Sequence, residues 1–95
     1  NLGVLYFNQG HYNDAAKKFQ QVVKLVPDQA YGHNNLGNTY YKLLKYDDAI
    51  AQYNKAIEIA PRNVYTLTNK AQVYIKRNKP VFAISCLNEA LDYEP

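Results

Sequence analysis

Few side chains in this 95-residue chain could do chemistry, and their spacing decides which chemistry that would be. His11, His33 and Cys86 show no metal-ligand spacing, so neither a metal nor a cofactor is expected. Ser85 and Cys86 have no histidine arranged to activate a nucleophile, and Asp47 beside Asp48 reads as a helix cap and a first-turn acid, not as a catalytic dyad. No glycine-rich loop is present to cradle a phosphate. Lys76, Arg77 and Lys79 cluster where a helix should end, complementing its dipole, so nucleic acid is not an expected partner. What remains is a set of carboxamides and rings. On a helix wheel Tyr31, Asn35, Asn38 and Lys42 form one stripe, bordered by Asn34 and Tyr41 and opposite Leu36 and Tyr40. A shift of 34 residues gives Tyr65, Asn69, Gln72 and Lys76, and the opposite shift gives Asn1, Val4 and Asn8. A carboxamide both donates and accepts, so it can hold the C=O and N–H of an extended peptide without reading its side chains. The alternative is that asparagine is merely tolerated on a wet helix face.

Such a stripe has meaning only if regular elements align it, and the chain repeats itself. The 34-residue shift superimposes Gly3, Gly37 and Ala71; Tyr6, Tyr40 and Tyr74; Ala15, Ala49 and Ala83; Phe19, Tyr53 and Leu87; Val22, Ala56 and Ala90; and Pro27, Pro61 and Pro95. Within a copy the apolar spacing is helical, with Leu36, Tyr40, Leu43 and Leu44 followed after a break by Ala49, Ile50, Tyr53, Ala56 and Ile57. Each copy therefore predicts two antiparallel helices, at about 1 to 9 and 14 to 26, 31 to 44 and 48 to 60, and 64 to 77 and 81 to 94.

Local residues set the expected boundaries. Asn13 and Asp47 can cap the second helices, Pro27 and Pro61 stop them, and Pro80 gives the third copy a fixed first-turn angle in place of a cap. Gly10 and Asn78 suit a left-handed residue between the helices, whereas Leu44 does not, so the second copy's inner turn is expected to be tighter or more helical. The small residues Gly3, Gly37 and Ala71 should mark close helix approach, with Ala15, Ala49 and Ala83 supplying the facing gap and Phe19, Tyr53 and Leu87 filling the space beside it.

The pattern Leu2-Gly3-x-x-Tyr6, Ala15-x-x-x-Phe19, Pro27, repeated as Leu36-Gly37-x-x-Tyr40, Ala49-x-x-x-Tyr53, Pro61, resembles the tetratricopeptide repeat over the whole chain. The third copy replaces Leu-Gly with Lys70-Ala71, and His33 and Leu67 stand where the family favours Trp. The resemblance implies an all-α, right-handed α-solenoid of antiparallel helix pairs, about six helices in three repeats: a partial one over 1–29, then 30–63 and 64–95. It also implies that first helices line a concave groove and second helices form the convex back. Asn38 and Asn69 match positions that grip a ligand's backbone in peptide-holding members, and Asn1, Asn35 and Asn69 resemble the asparagine ladder of some of them. The basic clamp that other members use for a chaperone's C-terminal carboxylates is not expected, because its sites hold Asn34, Tyr65 and Asn69 or precede residue 1.

Composition bounds the rest. The chain is 47% hydrophobic yet has a mean hydropathy of −0.49, in part because ten tyrosines bury a ring and keep a polar tip. No apolar run approaches the roughly 20 residues that span a bilayer, so no membrane partner is expected. Eleven basic and eight acidic residues spread along the chain give +3, a mixed solvated surface. The lone Cys86 points to a reducing compartment, with the cytoplasm expected. The lack of any Met suggests a segment of a longer protein, both ends being read as cuts. If nothing covers the last helix, Ile84, Leu87 and Leu91 should be partly bare and support self-association. The expected function is non-catalytic: an adaptor or scaffold holding an extended peptide or a partner's helix in the groove. A self-assembling array and a substrate-docking segment of a larger enzyme are the alternatives.

Overall fold

The computed structural model describes residues 2–93, so Asn1 and Pro95 of the repeat pattern lie outside the described residues. Six helices follow one another: α1 (Leu2–Asn8), α2 (Tyr12–Leu25), α3 (Ala30–Lys42), α4 (Tyr46–Ile59), α5 (Val64–Lys76) and α6 (Pro80–Tyr93). Sequence neighbours pack as the hairpins α1/α2, α3/α4 and α5/α6, and α3 also packs on α2 and α5 on α4. The described residues thus form an all-helical repeat solenoid.

The core is a string of small clusters, one at each junction. Ala15, Ala16 and Phe19 of α2 enclose Leu36 of α3, Ala49 and Tyr53 of α4 enclose Val73 of α5, and Ala71, Ala83 and Cys86 close the last hairpin. Close packing at Gly3 and Gly37 has a different partner from the expected alanines. A methyl group at Gly3 would stand 2.8 Å from the Phe19 ring, and one at Gly37 would stand 2.7 Å from the Tyr53 ring. Each ring lies directly on its glycine. The third copy changes both members together, with Ala71 tolerated where Leu87 replaces the ring.

All three inner turns are alike, which corrects the expectation for the second copy. Gly10, Leu44 and Asn78 all take positive φ, at 81°, 63° and 57°. The amide after each reaches back to a tyrosine carbonyl at 2.8 Å: His11 to Tyr6, Lys45 to Tyr40 and Lys79 to Tyr74. This double closure of a helix end fixes the hairpin angle, and it holds Leu44 in a conformation that its Cβ disfavours.

The second helices also start earlier than expected. His11 and Lys45 occupy the N-cap positions of α2 and α4 without a side-chain cap, which puts Asn13 and Asp47 inside the first turn. Asp47 is taken instead by Arg77 across the α4/α5 junction. Pro80 opens α6, where its missing N–H costs nothing. At the other boundaries Val26 and Ala60 end α2 and α4 immediately before Pro27 and Pro61, and Asn63 caps α5 by accepting from the Thr66 amide.

Candidate functional site

α3 and α5 stand side by side in neighbouring hairpins, so residues 31 and 32 apart in sequence come together. Asn69 Nδ2 donates to Asn38 Oδ1 at 3.1 Å. The same Asn38 oxygen accepts the Tyr53 hydroxyl from α4. Both bonds use the Asn38 carbonyl and one Asn69 hydrogen, leaving the Asn38 amide as a donor and the Asn69 carbonyl as an acceptor. Together these two groups match one peptide unit. Tyr53 is held tightly in this arrangement: burial raises its phenol well above the usual tyrosine range, and the nearby Tyr65 and Tyr41 add to the effect. It stays protonated and donates.

Beside this pair lies a cavity of about 200 Å³ whose walls combine the apolar Val4, Phe7 and Phe19 with Asn8, Asn35, Asn38 and Tyr65. The Asn35 amide nitrogen is buried there with no protein hydrogen-bond partner. A wider depression of about 780 Å³ opens on the α5 side, lined by Tyr65, Thr68, Asn69 and Gln72 with Arg62, Asn63 and Val64. Tyr65 borders both spaces and is largely exposed. Tyr31, also exposed, borders a third space with Leu2, Val4, Leu5 and Asn8.

Two residues assigned to the stripe make contacts within the fold. Asn34 is buried, and its carbonyl oxygen accepts the Thr66 hydroxyl at 3.0 Å, making it a strut between α3 and α5. Tyr41 spends much of its ring on the core around Ala49, Tyr53 and Val73 and lies 5.9 Å from Tyr46. Lys42, Gln72 and Lys76 are exposed. Lys42 and Lys76 stand at the ends of α3 and α5, Lys42 one turn beyond Asn38 and Lys76 two turns beyond Asn69. Asn1 of the ladder lies outside the described residues.

Sequence reasoning missed the apolar part of the site. Phe19 was read only as packing and Phe7 was not singled out, although Val4 replacing Asn38 one period earlier signals that the stripe turns apolar at that end. It also missed the charge segregation. Every described carboxylate (Asp14, Asp28, Asp47, Asp48, Glu58, Glu89 and Asp92) lies outside α1, α3 and α5, while α3 and α5 carry Lys42, Lys70 and Lys76.

The other candidates take structural places. His33 is buried, its Nε2 2.8 Å from the Pro27 carbonyl and its Nδ1 2.8 Å from the Gln52 side chain, tying three elements together. Burial raises the Cys86 thiol, an effect that Lys70 partly offsets and Glu89 reinforces, so the sulfur is a weak nucleophile. Among the described residues no group of His, Cys, Asp and Glu could hold a metal ion, and no helix is long and apolar enough to cross a membrane.

Known proteins share this architecture. Residues 1–64 and 52–81 each match a family profile described as tetratricopeptide repeat. No curated protein sequence matches the chain significantly. Among solved structures the chain is similar to the TPR2B domain of yeast Sti1 in its complex with pHsp70, with a TM-score of 0.90 and 32% identity over 93% of this chain and 70% of that one. It is similar to a component of the APC/C hetero-tetramer Cut9–Hcn1, with a TM-score of 0.93 and 33% identity over 99% of this chain and 20% of that one. The Yersinia enterocolitica type III secretion chaperone SycD, in complex with a peptide of the translocator YopD, shares the fold alone: TM-score 0.94, 22% identity, 98% of this chain and 71% of that one. The chain thus spans from about a fifth to about seven-tenths of the length of these chains.

Proposed function

The chain belongs to the tetratricopeptide repeat family, and on that premise we propose that it is a non-catalytic interaction module holding an extended peptide segment across α1, α3 and α5. The observation that carries this reading is the Asn38–Asn69 pair, which offers a donor and an acceptor side by side next to a partly apolar cavity. In it, Asn38 and Asn69 hold one peptide unit of the segment, and Asn35 supplies a further donor to a carbonyl after a small side-chain turn. Tyr65 and Tyr31 act as walls, and an apolar side chain enters the space lined by Val4, Phe7 and Phe19. Gln72, Lys42 and Lys76 meet the segment further along. With no carboxylate on α1, α3 or α5, the groove favours a neutral or acidic segment over a basic one. The similar yeast Sti1 domain is itself complexed with pHsp70, which supports a peptide-holding role for this chain. In this reading residues 30–63 and 64–95 are two repeats and 1–29 a partial one, working in the cytoplasm, a compartment consistent with the lone, buried Cys86.

Each backbone hydrogen bond should contribute about 0.5–1.5 kcal/mol net, so affinity is the sum of many modest contacts. The test uses a peptide selected on the chain from a random-sequence library and titrated calorimetrically. Replacing Asn38 and Asn69 together by Ala should weaken it about tenfold or more, equivalent to about 1.4 kcal/mol, with helicity retained. An unchanged dissociation constant would discard the reading.

A further inference from the structure

The hydrogen bonds around Asn38 give the groove a polarity. Asn38 turns its oxygen to Asn69 of α5 and to the Tyr53 hydroxyl, which leaves its amide as a donor on α3. Asn69 spends a hydrogen on that oxygen, which leaves its own carbonyl as an acceptor on α5. From α3 to α5 the groove therefore presents a donor and then an acceptor. In an extended chain the closely spaced N–H and C=O that face one side belong to one residue, and the N–H comes first along the chain. Setting that C=O on Asn38 and that N–H on Asn69 selects one direction, in which the chain enters over α5 and leaves over α3 toward α1.

The surroundings change along the same line. On the α1 side lies the cavity walled by Val4, Phe7 and Phe19, which is bounded by the chain's own helices α1, α2, α3 and α5. α1 has no charged residue over Leu2–Asn8. Positive charge grows toward α5: at one repeat position Asn8, Lys42 and Lys76 follow one another, all exposed, and in the loops leading into α3 and α5 Asp28 gives way to Arg62. Arg62 also borders the depression that holds Tyr65, Asn69 and Gln72.

Resting on the peptide-holding reading above, we propose that the partner segment lies with its N-terminal end over α5 and its C-terminal end over α1, and that it carries acidic residues followed by an apolar one. The acids meet Lys76 and Arg62, and the apolar side chain fills the cavity beside Val4, Phe7 and Phe19. Neighbouring helices lie about 8–10 Å apart and an extended chain advances about 3.3 Å per residue, so the apolar residue stands roughly two or three places after the one held by Asn38 and Asn69. Order matters as much as composition. The same residues reversed would set carboxylates over the apolar cavity and leave Lys76 and Arg62 without opposite charge.

The probe is the peptide selected on the 95-residue chain from a random-sequence library. Enriched sequences should place Asp or Glu N-terminal to Leu, Ile, Val, Met or Phe, and the opposite order would overturn the proposal. A nitroxide on the peptide's N-terminus should broaden the amide resonances of Tyr65, Gln72 and Lys76, and one on its C-terminus those of Val4, Phe7 and Asn8. The exchanged pattern would overturn the direction while leaving the segment in the groove, whereas broadening confined to α4 and α6 would overturn the groove reading and the direction together. Lys76→Glu should weaken the peptide about two- to fivefold at low salt, and the loss should disappear when the peptide's acids are replaced by Gln. An unchanged affinity, or a loss that persists with the Gln peptide, would overturn the acidic part of the proposal.

Discussion

Asn38 sits where three elements meet, and its carbonyl is shared between the Tyr53 hydroxyl and the Asn69 amide. Tyr53 therefore does two things at once: its ring packs on Gly37, and its hydroxyl aims the carboxamide that faces the groove. Tyr53→Phe keeps the ring and removes the bond, which should cost about 1 kcal/mol in urea melts and loosen peptide binding as Asn38 gains freedom. The same phenol makes stability depend on pH. Its folded pKa is raised by burial, so its contribution is fully present below the unfolded tyrosine value of about 10 and is lost as pH rises above it. Melting temperatures should accordingly fall more steeply above pH ~10 for the wild type than for Tyr53→Phe. Equal slopes in the two proteins would remove Tyr53 from this account.

The helices were legible because a period was. The small residues, the rings and the prolines recur at one spacing, and the boundaries they imply fall within about two residues of those observed. The inner turns were not legible from local propensity. Leu44 is a poor left-handed residue, yet the hairpin's packing demands the same closure at Gly10, Leu44 and Asn78. Tertiary structure overrides the local cost, and the override can be measured. The left-handed conformation costs Leu about 1–2 kcal/mol, while Gly loses up to about 1 kcal/mol more chain entropy on folding. Leu44→Gly should therefore stabilise the chain by about 0.5–1 kcal/mol in thermal or urea unfolding, because the exposed Leu44 side chain gives up little packing. Gly37→Ala runs the other way: its methyl group meets the Tyr53 ring, and a loss of about 1–3 kcal/mol is expected in the same assay. No change in either variant would mean that the turn and the contact relax freely.

At the scale of the whole chain, stacking converts sequence distance into adjacency, and this is why the candidate site could be read only in part. The asparagine stripe was visible because Asn35 and Asn69 obey the period, and stacking brings Asn69 against Asn38, one helical turn on from Asn35. Asn34, whose counterpart one period on is Thr68, turns inward to Thr66, a bond between residues 32 apart that no local pattern marks. The apolar wall of Val4, Phe7 and Phe19 was hidden for a related reason: its members come from two helices of the first hairpin and combine with α3 and α5 only after stacking. Segregation of every described carboxylate away from α1, α3 and α5 likewise becomes a surface property only in three dimensions. The central claim is that a bound segment lies on this inner face. Side-chain carboxamide resonances, followed by nuclear magnetic resonance during titration with the library-selected peptide, test it most directly. The resonances of Asn35, Asn38 and Asn69 should shift while those of Asn54 and Asn88, on α4 and α6, remain in place; shifts confined to Asn54 and Asn88 would put the segment on the outer face instead.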